Sequence, residues 1–263
     1  MDISNLTIKE LERLFKQEQE NQITDELLAA CRNDSRVAAR KLVQKYERQQ
    51  ARLAEEKQRL LAMYQFEEEG RQKGFEVIAG VDEAGRGPLA GPVSVAAVIL
   101  PPKLLLPHLN DSKKLSPKVR DELYDEIMAK AVAVRQVFVE PEAIDRINIL
   151  QATMQGMYDA IFALPCEPQL VLIDAVHLKE LNIPQLSLIK GDARPASIAA
   201  ASIIAKVARD RLMDEYDKQY PQYGFASHKG YGTAEHVAAI RKYGPCPIHR
   251  LTFEPVRSIA AGK

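Results

Sequence analysis

Between Val77 and Pro92 the chain reads VIAGVDEAGRGPLAGP, and this stretch narrows the possible folds more than any other. The apolar run Val77 to Val81 reads as a short buried strand, and it ends on two adjacent carboxylates, Asp82 and Glu83. Neighbouring side chains on a strand point to opposite faces, so both acids can serve one site only where the strand ends or turns. Gly85, Gly87 and Gly91, with Pro88 and Pro92, make such a turn credible. They permit unusual dihedrals and leave main-chain N–H groups open to a ligand. Arg86 sits in the middle of this loop. Two acids beside a glycine-flanked arginine suit a divalent cation and a phosphate, although the same residues also occur in ordinary turns.

The pattern after Gly74 is of strands alternating with helices. Val93–Leu100 reads as a second strand that could form a hairpin with the first, and Val132–Glu140 as a third. Ser116-Pro117 places a capping residue before a proline at the first helical position, predicting a helix to about Lys130. Helical patterns cover Pro141–Ile147, Ile149–Leu164 and the alanine-rich Ile198–Tyr220. Leu170–Asp174 reads as a buried strand ending on a lone aspartate, and Leu186–Ile189 as a short strand leading to Lys190-Gly191-Asp192. This is the layout of an α/β fold, a mixed sheet with helices on its faces.

Residues 1–74 differ: they are charged, rich in Gln and Glu and free of proline, and are expected to form a helical extension ahead of a domain spanning 75–263. Thr7 and Glu10 have capping-box spacing, and Thr24 with Asp25 and Glu26 could open a second helix. From about Ser35 a long helix is expected, with Leu42, Tyr46, Leu53, Leu60 and Tyr64 as its apolar stripe. The extension could be a self-solvating appendage, bind a protein partner, or handle substrate through Arg36, Arg40, Lys41 and Lys45.

Charge matters because Lys+Arg and Asp+Glu both number 36, so the chain lacks the overall positive charge common in nucleic-acid binders. Any such contact must come from local patches and bound cations. The cysteines, Cys31, Cys166 and Cys246, are scattered and odd in number, which suits a reducing cytoplasm rather than a disulfide framework or zinc cluster. No run approaches the ~18 apolar residues of a membrane span, and no export signal is expected.

Asp82, Glu83, Asp174 and Asp192 each fall at or just after the carboxyl end of an expected strand, where ligands gather in open α/β sheets. Acids brought together repel one another, and hard divalent cations such as Mg²⁺ or Mn²⁺ relieve this. Two such ions ~3.5–4 Å apart could activate water and stabilise the leaving oxygen of a phosphodiester. Strand-end aspartates also cap helices, so spacing alone leaves both readings open.

The wording of these segments is more specific than their chemistry. DEAGRGPLAGP closely resembles the first active-site motif of ribonuclease HII. VLIDAV at 171–176, KGDARPASIAAASIIAKVARD at 190–210, DSKKLSP at 111–117 and SHKGYGTAEH at 227–236 are similar to other segments of that family, covering roughly Glu76 to Phe253. The resemblance implies a ribonuclease H-like fold with Asp82, Glu83, Asp174 and Asp192 as catalytic metal ligands for Mn²⁺ or Mg²⁺. It implies endonucleolytic hydrolysis of the RNA strand of RNA–DNA hybrids, and cutting 5′ of ribonucleotides embedded in duplex DNA, leaving 5′-phosphate and 3′-hydroxyl ends. In that family the loop matching Gly85, Arg86 and Gly87 reads the 2′-hydroxyl, and the tyrosine matching Tyr231 packs on the neighbouring deoxyribose. The sister family, ribonuclease HIII, would carry a lysine at Arg86 and a β-rich extension. Another metal-dependent nuclease of the same fold, such as a resolvase or integrase, and a non-catalytic hybrid binder are the alternatives. A monomer is expected.

The basic residues add candidates for substrate binding. Ser112, Lys113 and Lys114 precede an expected helix start, where a phosphate could meet both charge and N–H donors. Lys190 and Arg194 flank the fourth acid and could hold phosphates or tune Asp192. Lys206 and Arg209 lie on the alanine-rich helix, where a solvated face is expected for Arg209, and His249 is expected to be structural.

Overall fold

The computed structural model describes residues 3–17, 23–188 and 194–262. It divides into two compact units, Met1–Arg59 and Leu60–Lys263.

In the first unit, helices α1 (Ile8–Gln17), α2 (Asp25–Arg32) and α3 (Val37–Ala62) follow one another. The capping box forms as its spacing predicts, with Thr7 N–H donating to Glu10 Oε2 at 2.7 Å and Glu10 N–H to Thr7 Oγ1 at 3.3 Å. Thr24 caps α2 by accepting from Leu27 N–H. Leu11, Phe15, Leu27, Leu28, Cys31, Ala39 and Val43 form the core, and the ring of Tyr46 stands edge-on to Phe15 at 6.0 Å. The apolar stripe expected along α3 is therefore only partly used. Leu42 and Tyr46 are half-buried, but Leu53 is 56% exposed. The physical reason is length: α1 and α2 have 10 and 8 residues, against 26 in α3. Two of the four basic candidates for substrate handling are engaged internally. Arg36 donates to Asp34 and to the carbonyls of Ile3 and Leu6, and Arg40 to the carbonyls of Asp34 and Ser35.

The second unit is built on a five-stranded sheet of order β3-β2-β1-β4-β5. The strands are β1 (Ile78–Ala84), β2 (Val93–Ile99), β3 (Ala133–Val139), β4 (Leu170–Asp174) and β5 (Gln185–Leu188). β1, β2 and β3 are antiparallel, whereas β4 runs parallel to β1 and β5 parallel to β4. Alternate residues divide between two cores. Val81, Val93, Val95, Val171 and Ile173 pack with α6 (Pro141–Ile147) and α7 (Ile149–Phe162). On the other face Ala96 and Val98 pack with α5 (Pro117–Lys130) and α8 (Ala196–Gln219). Every residue of β2 is buried, as a strand covered on both faces must be. At Gly80 an added Cβ would lie 2.2 Å from the Ser197 carbonyl carbon, so glycine is what lets α8 rest directly on the β1 backbone. The carboxy-terminal part adds α9 (Phe225–His228), α10 (Ala234–Tyr243) and α11 (Val256–Ala260). Among the described residues no helix is long and apolar enough to cross a membrane.

The unit boundary departs from the expected division at residue 74. Leu60, Met63 and Tyr64 belong to the core beside α8, and the Tyr64 hydroxyl donates to the Leu104 carbonyl at 2.8 Å. Within α4 (Gln65–Gln72), Glu67 is 2% exposed and accepts from both N–H and Oγ of Ser197, at 2.9 and 2.7 Å. Met63 supplies a carbonyl to Ala196 N–H at 3.0 Å. A helix leaves its first N–H groups unsatisfied, and here residues 63–67 satisfy two of them at the start of α8. Residues 60–74 thus pack with the α/β unit.

Candidate active site

At its carboxyl end β1 loses one sheet neighbour before the other. Pairing with β4 stops at Val81 opposite Ile173, while pairing with β2 continues through Glu83 and Ala84. The edge of β1 beyond Val81 is therefore open toward the end of β4, where Asp174 stands. Asp82 and Glu83 both lie within β1, which keeps its β2 pairing through Ala84 rather than ending or turning at the acids. Asp82 is 5% exposed, and its Oδ1 accepts from Glu83 N–H at 2.8 Å.

One guanidinium joins these acids. Arg194 donates through Nη1 to Asp82 Oδ2 at 3.0 Å and through Nη2 to Asp174 Oδ2 at 2.6 Å, and Asp111 Oδ2 lies 3.6 Å from the same Nη2. Glu83 pairs with Arg86 at 3.4 Å through Oε1, while its buried Oε2 has no partner among the described residues. Burial pushes the Asp82 carboxyl well above the usual range, reinforced by the Glu83 charge and opposed by Arg194. Burial also raises Glu83, with Arg86 the main opposing charge and Lys113 a smaller one. Such upward pressure on neighbouring carboxylates marks a site short of positive charge.

The donor set consists of hard carboxylate oxygens, one of them buried and unpartnered, which fits a divalent cation. Arg194 bridges Asp82 and Asp174 here, and among the described residues no three His, Cys, Asp or Glu side chains are grouped so as to hold a metal ion together. Lys190 and Asp192, the expected fourth acid, lie outside the described residues.

The glycine loop after Glu83 is held from beneath by two buried arginines. Arg250 is 0% exposed and donates to the carbonyls of Gly85, Arg86 and Gly91 at 2.6, 2.8 and 2.8 Å. Arg209, 1% exposed, donates to the carbonyls of Ala90, Pro92 and Lys229, each at 2.9 Å. In a trans peptide the carbonyl and the following N–H point in opposite directions. Turning the Gly85 and Arg86 carbonyls toward Arg250 therefore turns the N–H groups of Arg86 and Gly87 away from it. Gly85 has a φ of +94°, and a Cβ there would lie 2.1 Å from Arg209 Nε, so both conformation and space demand glycine.

One of these arginines, Arg209, also connects this loop to the segment carrying Tyr231. Arg209 bonds Lys229, and Leu89 N–H donates to the Gly230 carbonyl at 2.8 Å. The Tyr231 ring stands 3.9 Å from where a Gly87 Cβ would be and is 45% exposed. Behind it is a chain of neutral imidazoles. His249 Nδ1 accepts from Cys246 N–H, which leaves its Nε2–H to donate to His236 Nε2 at 3.1 Å. His236 Nδ1–H then donates to the Tyr231 carbonyl at 2.9 Å. Burial lowers both imidazoles to about 4, in keeping with neutral rings. The structural expectation for His249 thus has a specific form.

Other expected contacts are rearranged. Ser112 is 3% exposed and its hydroxyl is hydrogen-bonded to Ser202 at 2.7 Å, so its side chain does not face solvent. Lys113 and Lys114 are exposed, but Lys113 N–H donates to Asp111 Oδ1 at 2.9 Å and is not open to a phosphate. Arg209 is buried, contrary to the solvated face expected for it. The signal was present, because Ala205 and Met213, four residues to either side, are both core positions. Asp111 also went unrecognised as a site acid, although it opens DSKKLSP; no local pattern marked Arg250.

Comparison with known proteins agrees with this geometry. The family model described as Ribonuclease HII matches residues 79–256, and that of the Ribonuclease HII N-terminal domain matches residues 7–71. The resemblance therefore extends into the helical segment, beyond the Glu76 limit read from the motifs. Ribonuclease HII of Lactobacillus helveticus is 50% identical over 95% of this chain and 98% of its own. That of Enterococcus faecalis is 53% identical over 90% and 92%. Among solved structures, ribonuclease H2 from Pyrococcus horikoshii superposes with a TM-score of 0.60 at 28% identity, covering 71% of this chain and 98% of its own. A Bst ribonuclease HIII solved with Mn²⁺ shares the fold, with a TM-score of 0.51 at 19% identity. The acids, the clamped glycine loop and these matches lead to one conclusion: the chain belongs to the ribonuclease HII family and is a nuclease of the ribonuclease H type.

Proposed function

We propose that this protein hydrolyses the RNA strand of RNA–DNA hybrids and cuts 5′ of single ribonucleotides embedded in duplex DNA, leaving 5′-phosphate and 3′-hydroxyl ends. The observation that carries the reading is the junction of three features: buried carboxylates, outward-turned N–H groups of Arg86 and Gly87, and the exposed ring of Tyr231 beside Gly87. Asp82, Glu83 and Asp174, with Asp192 as the expected fourth ligand, would hold Mg²⁺ or Mn²⁺, in a two-ion arrangement that supplies an activated water and neutralises charge at the phosphodiester. Arg194 holds the Asp82 and Asp174 charges together, and Arg86 balances Glu83. Lys113, exposed near Glu83, and the exposed Lys114 beside it in sequence offer positive charge to substrate phosphates.

Discrimination between the two sugars falls to the loop. A 2′-hydroxyl is both donor and acceptor, and it alone distinguishes ribose from deoxyribose. The N–H groups of Arg86 and Gly87 suit it because no side chain must be desolvated to reach it. Tyr231 would then stack on the deoxyribose that follows. A monomer working in a reducing cytoplasm accords with free Cys31 and Cys246, both buried.

The test is a panel of duplexes with no ribonucleotide, one, or several. Cleavage 5′ of the single ribonucleotide, lost in Asp82→Asn, Glu83→Gln and Asp174→Asn, is the expected result. Equal cutting of the all-DNA duplex would favour the resolvase-like alternative and remove the sugar-reading role from the loop.

A further inference from the structure

Tyr231 projects from a segment in which neither sequence neighbour can brace its ring, since Gly230 and Gly232 carry no side chains. The direction of the half-exposed ring therefore depends on how its own main chain is held. Tyr231 N–H donates to the His228 carbonyl at 2.9 Å, and the Tyr231 carbonyl accepts from Thr233 N–H at 2.8 Å and from His236 Nδ1–H at 2.9 Å. The Thr233 bond spans two residues and shapes the segment locally, whereas the His236 ring ties it to the buried interior. His236 is stacked on His228, with centroids 4.4 Å apart and rings 16° from parallel, and Phe225 stands edge-on to it at 5.4 Å. His228 Nδ1 in turn accepts from Gly230 N–H at 3.2 Å.

The donating nitrogen of His236 is fixed from a distance. A neutral imidazole has one donor and one acceptor. Because the Cys246 main-chain N–H occupies His249 Nδ1, the proton of His249 sits on Nε2, points at His236 Nε2 and leaves His236 its proton on Nδ1. The other tautomer of His236 would set a lone pair against the Tyr231 carbonyl. Burial disfavours charge on both rings, and apolar side chains could fill the same space without desolvating any polar group. Two imidazoles in this place are better explained by what they hold than by stability.

We propose that His236 and His249 are positioning residues for Tyr231, and that they thereby set how strongly the enzyme favours a lone ribonucleotide followed by deoxyribose over a continuous hybrid. Both rings are buried, so they act on substrate only through the Tyr231 main chain. The inference rests on the role proposed for Tyr231 and deepens it by assigning the orientation of the ring to two proton positions.

The experiment uses the full-length protein and two side chains that separate the ring nitrogens. An asparagine amide can donate from near the Nδ1 position of an imidazole, and a glutamine amide from near Nε2. At 236 the needed donor is Nδ1, so His236→Asn is expected to keep the substrate preference and His236→Gln to lose it. At 249 the needed donor is Nε2, so the order reverses, with His249→Gln keeping it and His249→Asn losing it. Neither volume nor burial produces such a reversal. With Mg²⁺, kcat/KM is measured on a duplex holding one ribonucleotide and on one with a continuous RNA strand. The ratio of the two should fall about fivefold in the losing variants, the scale of one net hydrogen bond, and stay within about twofold of wild type in the others. In Tyr231→Ala, adding His236→Gln should change the ratio no further, because the ring it acts through is gone. The same order at both positions, equal losses on both duplexes, or full additivity with Tyr231→Ala would overturn the proposal. A second readout needs no cleavage. The chain has no tryptophan, so Tyr231→Trp introduces a single reporter, whose fluorescence anisotropy should drop on adding His236→Gln and hold on adding His236→Asn. No drop with His236→Gln would overturn the positioning. Thermal melts verify that each variant is folded at the assay temperature. Failure of the wild type to cut at a single ribonucleotide would refute the substrate reading of Tyr231, whereas the anisotropy still judges whether the histidines position it.

Discussion

Replacing Arg250 by methionine tests whether the glycine loop is positioned by its buried clamp. Methionine keeps much of the apolar volume of the arginine stem but removes every donor. The carbonyls of Gly85, Arg86 and Gly91 then lose a partner in a region where Arg250 itself is fully buried. A buried acceptor left unsatisfied costs about 1–3 kcal/mol, so three give an upper range of ~3–9 kcal/mol. Part of this is offset, because a buried guanidinium is itself costly to desolvate. That cost is visible as a side-chain pKa pushed down to about 9 by burial and by the neighbouring Arg209 charge, still cationic at neutral pH. A net loss of ~3–6 kcal/mol lowers Tm by ~6–24 °C, at ~2–4 °C per kcal/mol for a domain of this size. Urea unfolding should show a reduced midpoint with an unchanged m-value. At a temperature where the variant is still folded, kcat/KM at a single embedded ribonucleotide should fall at least tenfold. Arg250→Lys, which retains the charge and some donors, should recover part of both losses. A methionine variant within ~1 kcal/mol of wild type, with undiminished cleavage at the ribonucleotide, would refute the clamp.

Truncation separates the two units at a different place from the composition change. A chain starting at Leu60 should fold and retain cleavage, whereas one starting at Phe75 loses buried Leu60, Met63 and Tyr64, each worth ~1.5–3 kcal/mol, and the Glu67 acceptor of Ser197. Equal thermal midpoints for the two would show that residues 60–74 are dispensable to the α/β unit. The His236–His249 pair makes stability depend on acid. Both folded-state values lie near 4, below the unfolded ~6.5, so the unfolded chain binds more protons and stability is lost as pH falls from about 6.5 toward 4. An NMR titration in which either ring ionises at or above 6.5 would contradict the neutral relay to the Tyr231 carbonyl. At Tyr231 itself, alanine should impair cutting at a single ribonucleotide about tenfold or more and phenylalanine much less, because stacking needs the ring and is worth ~1–3 kcal/mol. Equal effects of the two changes would remove the stacking role.

Local patterns in the sequence were enough for most of the architecture. The expected strands appear as β1 to β5 within a few residues, because apolar runs bounded by turn residues leave little alternative once both sheet faces are covered. The α1 capping box, the Ser116 cap of α5 and the long α8 were equally legible. Asp82 and Asp174 are brought together on one guanidinium, as strand-end acids on neighbouring parallel strands can be. These features depend on interactions between residues close in the chain, or on a periodicity that any helix or strand must obey.

What needed the tertiary structure depends on partners far apart in sequence. Arg250 reaches carbonyls more than 150 residues earlier, at separations of 159 to 165, and nothing near it in the chain marks that bond. Ser112 was expected to face substrate and instead meets Ser202, because packing α8 over the sheet closes that side. Glu67 belongs to the charged segment 1–74, yet it is buried against the start of α8. A polar side chain reads as solvated wherever its own neighbours are polar. Only the arrangement of distant backbone, with donors and acceptors that burial obliges to pair, decides which of those side chains lie inside.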